Sequence, residues 1–214
     1  MRYIDMQTWS RRNHFSFYST FDHPHFSMCV NVDVTAFHPF VKRNGYSFTV
    51  CMVYVIARAS NAIPEFRLRI RGEQVVEHEI VNPGFTILTG EDLFSFCFVE
   101  YAEVFSEFAV RAAKSISDVK AHPTLEGNPE KDNVLYMSPI PWVSFTSFTH
   151  PMPSHPGDSI PRFAWGKSFQ ESDTWKMPLG VQGHHAVMDG LHMGRFYETL
   201  QDYLHHPELA LGDA

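Results

Sequence analysis

The stretch that most constrains this chain is Phe48 to Ile63, FTVCMVYVIARASNAI, which is almost wholly apolar until Arg58. It is longer than an ordinary strand, and it stops just before Pro64, whose ring disfavours helical backbone in the residue ahead of it. The pattern therefore predicts a buried helix, and a helix that is apolar all round has to be covered by the rest of the chain. The cover is available. With 214 residues, 44% of them hydrophobic and 19% charged, the chain can bury a sizeable core without disulfides or a structural metal. That length predicts one large domain over 1–214, or two small ones at most.

Strand-like and helix-like stretches alternate around this helix. Thr35 to Asn44 reads as a short helix with Thr35 as N-cap and Gly45 as its stop. RLRIRGEQVVEHEI reads as a hairpin turning at Gly72, and Gly84 to Tyr101 carries strand pattern with Phe94, Phe96 and Phe98 on one face. From Val104 to Val119 apolar residues recur every three or four positions, which predicts an amphipathic helix. After the loop LEGNPEKDN, VLYMSPIPWVSFTSF reads as two strand-like pieces broken by Pro139 and Pro141. A proline-rich loop, THPMPSHPGDSIP, follows. Two strands then flank Glu171-Ser172-Asp173, the second running MPLGVQGHH, and a helix spans Leu191 to Leu204. The sum is a mixed α/β domain (α+β) with a mostly antiparallel or mixed sheet. No glycine-rich loop opens a helix after a strand, so dinucleotide-fold and P-loop readings are weak.

Charge and cysteine content narrow the function classes. Seventeen basic against 24 acidic side chains give a net charge of −7, which argues against nucleic-acid and membrane-surface binding. An anionic ligand would have to be held by a few placed basic groups. Cys29, Cys51 and Cys97 lie far apart without metal-ligand spacing and fit buried thiols in a reducing compartment. MRYIDMQTWSRRNHF has no signal-peptide core, and no stretch approaches the roughly 18 uncharged apolar residues of a membrane helix. The expectation is a soluble, cytoplasmic protein.

The chemistry concentrates in HHAVMDGLH. His184 and His185 end a strand, Asp189 follows, and Gly190 leads into a helix. An imidazole at the edge of a cavity can act as a general base near neutral pH, because its ordinary pKa of about 6.5 needs little adjustment. Asp189 can orient the histidine, cap the helix or pair with a distant arginine. The plain alternative is two structural histidines and an N-cap aspartate.

HHAVMDGLHMGRF, preceded by PLGVQG, resembles the active-site segment of chloramphenicol acetyltransferases. MQTWSRRNHFSFY is similar to that family's N-terminal segment and SPIPWVSFTSF to its central one, all in the family's order. The resemblance covers essentially the whole chain. It implies a single-domain two-layer sandwich of a mixed β-sheet with packed helices. It also implies acetyl transfer from acetyl-CoA, as co-substrate, to a hydroxyl of a small acceptor, chloramphenicol or a related alcohol, with no metal. The family's homotrimer, with active sites between subunits, and its link to antibiotic resistance are implied in the same way.

By position in the motif, the resemblance makes His185 the base and leaves His184 a structural role. It makes Ser138 the oxyanion-stabilising serine, although a serine that only helps the turn before a proline is the plainer reading. Asp189 matches the family's carboxylate that pairs with an N-terminal arginine, Arg11 here; Arg12 competes, and the choice rests on spacing from Trp9. Pro141 and Trp142 offer a flat apolar surface to coenzyme A, and Lys167 could meet its phosphates. Phe17 and Tyr18 match an aromatic pair that lines the acceptor pocket, and Phe94, Phe96 and Phe98 could line the same cavity. Two departures bear on the acceptor. Ser19 to His25 is polar where the family's antibiotic-binding enzymes are apolar, and Ala164 stands where many members have a threonine that helps hold a water.

Two other classes remain. One is a metal-dependent hydrolase using His184, His185, Asp189 and His192, with His14, His23 and His25 near the N-terminus. Adjacent strand-end histidines point to opposite faces, however, and no HExxH or cysteine pair supports them. The other is a catalytically inactive relative that only binds. Against it stands the presence of base, serine, carboxylate and arginine together.

Overall fold

Ser47 starts the central helix: its hydroxyl accepts from the Val50 amide at 3.5 Å, and the chain then runs as α3 over Phe48–Asn61. Every residue from Val50 to Ala57 is buried. Asn61 ends the helix and ties it down. Its amide nitrogen donates to the Ala57 and Val81 carbonyls, and its oxygen accepts from the Val81 amide. The computed structural model describes residues 1–127, 131–152 and 158–212.

The layer covering α3 is a seven-stranded mixed sheet. It is built from β2 (His25–Asp33), β5 (Asn82–Leu88), β6 (Phe94–Phe98), β7 (Val134–Pro139), β8 (Arg162–Trp165), β9 (Phe169–Glu171) and β10 (Thr174–His184). Its order is β2-β10-β8-β7-β5-β6, with β9 paired to β10. The pairs β5–β7 and β7–β8 are parallel, the others antiparallel. Helices α2 (Phe37–Arg43), α4 (Phe105–Ala121), α5 (Gly190–His205) and α6 (Pro207–Leu211) complete the helical part. A smaller sheet of β1 (Arg2–Tyr3), β4 (Gln74–Glu77) and β3 (Leu68–Arg71) lies beside α1 (Arg12–Tyr18).

Strand register gives the sheet two unlike faces, because paired residues point the same way and neighbours alternate. Val181, Phe163, Met137, Phe85 and Cys97 are opposite one another across five strands, and all are buried in the core with α3 and α5. Phe163 packs with Phe66 and Phe196, ring centroids 6.1 and 5.3 Å away. The other face carries small residues in one row: Gly180 opposite Ala164, opposite Ser138. In the next row Gly84 lies under the Phe98 ring, where a Cβ would come within 2.6 Å of it. Over the small Gly180, Phe145 and Phe148 pack down on this face.

The mixed α/β architecture agrees with the sequence reading, with three local differences. Helix α2 begins at Phe37 rather than after Thr35, because the Thr35 hydroxyl accepts from the Trp175 amide and so joins the helix to β10. The expected second strand after Pro141 does not form. Prolines 139 and 141 supply no amide donor, and the chain from Trp142 to Phe148 crosses over Gly166 as irregular structure, held by a bond from Lys167 N to Val143 O. The strand expected before the Glu171 turn is two, β8 and β9. Residues 128–130 of the LEGNPEKDN loop and 153–157 of the proline-rich loop lie outside the described residues.

Candidate active site

The HHAVMDG turn is shaped by burial on one side and a cap on the other. Ala186 and Val187 are fully buried in a small cluster with Phe15, Leu68 and Val75, which draws the chain off β10 and against α1. Met188 folds back over Gly183, where a Cβ would meet its sulfur at 2.2 Å; only glycine allows this approach. The His185 amide donates to the Pro24 carbonyl at 2.8 Å.

Asp189 joins the turn to two elements. One carboxylate oxygen accepts from the Leu191 amide at 3.0 Å and caps α5; the other accepts from the Arg11 guanidinium at 2.6 Å. His192 Nδ1 accepts from the Asp189 amide at 3.0 Å, closing a capping box, and its Nε2 lies 3.3 Å from Glu65. Burial, the largest single influence, would raise the Asp189 pKa, but the Arg11 bond and charge, the neighbouring His192 and the Leu191 amide together hold the carboxyl below its usual range. Arg11 also donates to the His185 carbonyl at 3.3 Å, so one guanidinium bridges Asp189 and the histidine's backbone. Arg12 is exposed and makes no such pair among the described residues.

The two histidines differ sharply. His184 is buried, its Nδ1 accepts from the Ala186 amide at 3.2 Å, and its ring meets His25 edge-on at 4.8 Å. Burial first, and the neighbouring His25 second, push its pKa down to about 4, so it is neutral at neutral pH. His185 is partly exposed. Tyr18 stacks on it at 4.1 Å and 6°, and Phe26 packs at 4.6 Å. Its Nδ1 is buried and makes no hydrogen bond among the described residues. Phe17, beside Tyr18, is 58% exposed.

Ser138 lies near the end of β7, where two cavities meet. A cleft of about 640 Å³ is lined by Ser138, Pro141, Trp142, Ser47, Thr49 and Lys120, among others. A pocket of about 370 Å³ shares Ser138, Phe94 and Phe148 with it and continues past Phe96 and Phe98 to Tyr136, His150 and Arg162. Trp142 is 64% exposed at the cleft. Lys167 is exposed and lines neither cavity; the cationic group on the cleft is Lys120 of α4. Sequence reasoning missed Lys120, Tyr136, His150 and Arg162, because only the packing of α4, strand register and the return of the chain over the sheet bring them near Ser138.

Ser138 and His185 do not meet within one chain. Ser138 pairs with Ala164, which pairs with Gly180. His185 lies five residues further along and two strands across, on the order of 20 Å away. Arg11, Asp189, His185 and Tyr18 form one cluster; Ser138 and its two cavities lie apart from it.

A helix-covered mixed sheet, a strand-end HHxxxDG turn braced by an arginine and a serine opening onto two cavities define a coenzyme A-dependent acyltransferase, EC 2.3.1. A family model described as chloramphenicol acetyltransferase matches residues 1–201. A chloramphenicol acetyltransferase of Proteus mirabilis is 32% identical over 94% of this chain and 93% of its own length. Chloramphenicol acetyltransferase 2 of Escherichia coli is 36% identical over 92% of this chain and 94% of its own. A solved chloramphenicol acetyltransferase superposes with a TM-score of 0.83 at 26% identity, covering 95% of this chain and 99% of that one. The chain belongs to the chloramphenicol acetyltransferase family.

Proposed function

We propose that this protein transfers the acetyl group of acetyl-CoA to a hydroxyl of a small alcohol, chloramphenicol or a related compound. The observation that carries the reading is the place of Ser138 at the junction of two cavities. One hydroxyl adjoining both fits a reaction in which two substrates are bound together. The cleft suits the coenzyme: Pro141 and Trp142 offer flat apolar area, and Lys120 offers a charge for a phosphate. The phenylalanine-lined pocket suits the acceptor.

In this reading His185 takes the acceptor's proton as its oxygen attacks the thioester carbon. For the outward nitrogen to accept, the ring's own proton sits on Nδ1, away from water. Ser138 donates to the oxyanion that forms. As the carbon–sulfur bond breaks, His185 returns the proton to the departing thiolate. Arg11 and Asp189 fix the turn that carries the imidazole and exchange no proton. Tyr18 holds the plane of the ring by stacking. The separation of Ser138 from His185 is accounted for by a homotrimer in which each His185 faces a neighbour's Ser138.

The test is thiol release from acetyl-CoA against a panel of alcohols that includes chloramphenicol. Release should depend on the alcohol, and His185→Ala should abolish it while leaving the circular dichroism and melting temperature near those of the parent. An unchanged rate in that variant removes the assigned base.

A further inference from the structure

The pocket on Ser138 ends in a polar corner that acetyl transfer does not use. Strand register lines up Tyr136, Arg162 and Gln182 on one face, two residues, or about 7 Å, from the row that holds Ser138. His150 closes the corner from above: its backbone amide donates to the Gln182 side-chain oxygen at 3.1 Å, and its ring packs edge-on against Phe148 at 4.8 Å. Both ring nitrogens of His150 are buried, and neither makes a hydrogen bond among the described residues. The Gln182 side chain and the Phe163 carbonyl face the ring without closing one.

The corner carries hydrogen-bonding capacity without net charge. Arg162 is buried and lies over the Tyr136 ring at 5.3 Å, and its guanidinium donates to both oxygens of Asp158 at 2.8 and 2.6 Å. Burial, reinforced by the Arg162 charge, pushes the His150 pKa down to about 4, so its imidazole is neutral at neutral pH and offers one donor and one acceptor. An anion entering here would compete with Asp158 for the arginine. An apolar group would leave the imidazole unpaired, which is costly in a buried site.

We infer that His150 is a specificity-determining residue, and that the pocket selects acceptor alcohols carrying an uncharged hydrogen-bonding group, such as a carboxamide or second hydroxyl, at the end remote from the reacting hydroxyl. The inference rests on the reading of this pocket as the acceptor site. Phe96 and Phe98 line the space between the two rows, which suits a rigid aromatic body.

Three alcohols of nearly equal shape test it: 4-(hydroxymethyl)benzamide, 4-isopropylbenzyl alcohol and 4-(hydroxymethyl)benzoate. In the full chain, kcat/KM with acetyl-CoA should favour the amide over both others by on the order of 10-fold or more. His150→Leu should reverse the order of amide and isopropyl compound, and its turnover of the isopropyl compound shows that it is folded. His150→Gln should restore part of the amide preference. Calorimetric binding of the same alcohols to His185→Ala separates this inference from the activity. Amide-selective binding without acetyl transfer to any alcohol would remove the proposed reaction and keep the selectivity. Equal binding of amide and isopropyl compound, preference for the benzoate, or no binding of any of the three would overturn the inference.

Discussion

Asp189 is bonded through its carboxylate to Arg11 and to the first turn of α5, so replacing it disturbs both contacts at once. Its side chain is 31% exposed and that of Arg11 12%, which places the pair between a screened surface bridge and a buried one. Asp189→Asn should cost roughly 2 kcal/mol of stability, read as a fall of roughly 4–8 °C in Tm, together with most of the activity. Ser138→Ala should separate the two effects: turnover falls by about two orders of magnitude and Tm barely moves. The histidine pair gives a pH test. Folding holds His184 at a pKa of about 4, below the ordinary 6.5 of an unfolded chain. Below 6.5 the unfolded chain binds a proton that the folded one refuses. The contribution is therefore fully present above 6.5 and is lost as pH falls towards 4. Melting temperatures from pH 7.5 to 4.5 should decline in the parent and decline less steeply in His184→Gln.

Between elements, the connection from β10 to α5 depends on Gly183. Gly183→Ala forces Met188 off the strand, which should cost about 1–3 kcal/mol and displace the turn that presents His185. A variant with unchanged Tm and activity would show that Met188 has somewhere else to go. The same elements explain what could be read before the fold was known. Helices α3, α4 and α5 carry their own signals, an apolar run or a regular stripe, and each lies within about two residues of its expected span. The HHxxxDG turn is equally local: the histidine pair, the carboxylate and its cap lie within nine residues, and the resemblance on the N-terminal segment pointed to Arg11, which bonds Asp189. Partners fixed by pairing were not legible. Thr35 looks like a helix cap until β10 arrives beside it, and WVSFTSF looks like a strand although no neighbour has a free edge for it. His150 and Arg162, 12 residues apart across the proline-rich loop, share a pocket only through β8 and the chain crossing above the sheet. Lys120 reached the cleft from α4, while Lys167 is exposed and lines neither cavity.

At the scale of the whole molecule, the proposed reaction needs Ser138 and His185 at one site, yet five residues and two strands separate them within one chain. The proposed homotrimer would meet that need if each interface joined unlike surfaces, one chain's His185 to the next chain's Ser138. The arrangement makes a prediction that a self-contained site does not. His185→Ala and Ser138→Ala proteins should each be inactive or nearly so, with their lesions on opposite sides of the proposed shared site. When the two are denatured together in equal amounts and refolded, a random cyclic assembly places an intact histidine opposite an intact serine at about one site in four. Thiol release should then recover to about a quarter of the parent rate. Mixing the folded proteins without denaturation should recover little unless subunits exchange. A mixture that stays at the level of its components would mean that each chain works with its own serine, which the sheet register does not allow. It would then exclude the paired role of these two residues together with the shared site.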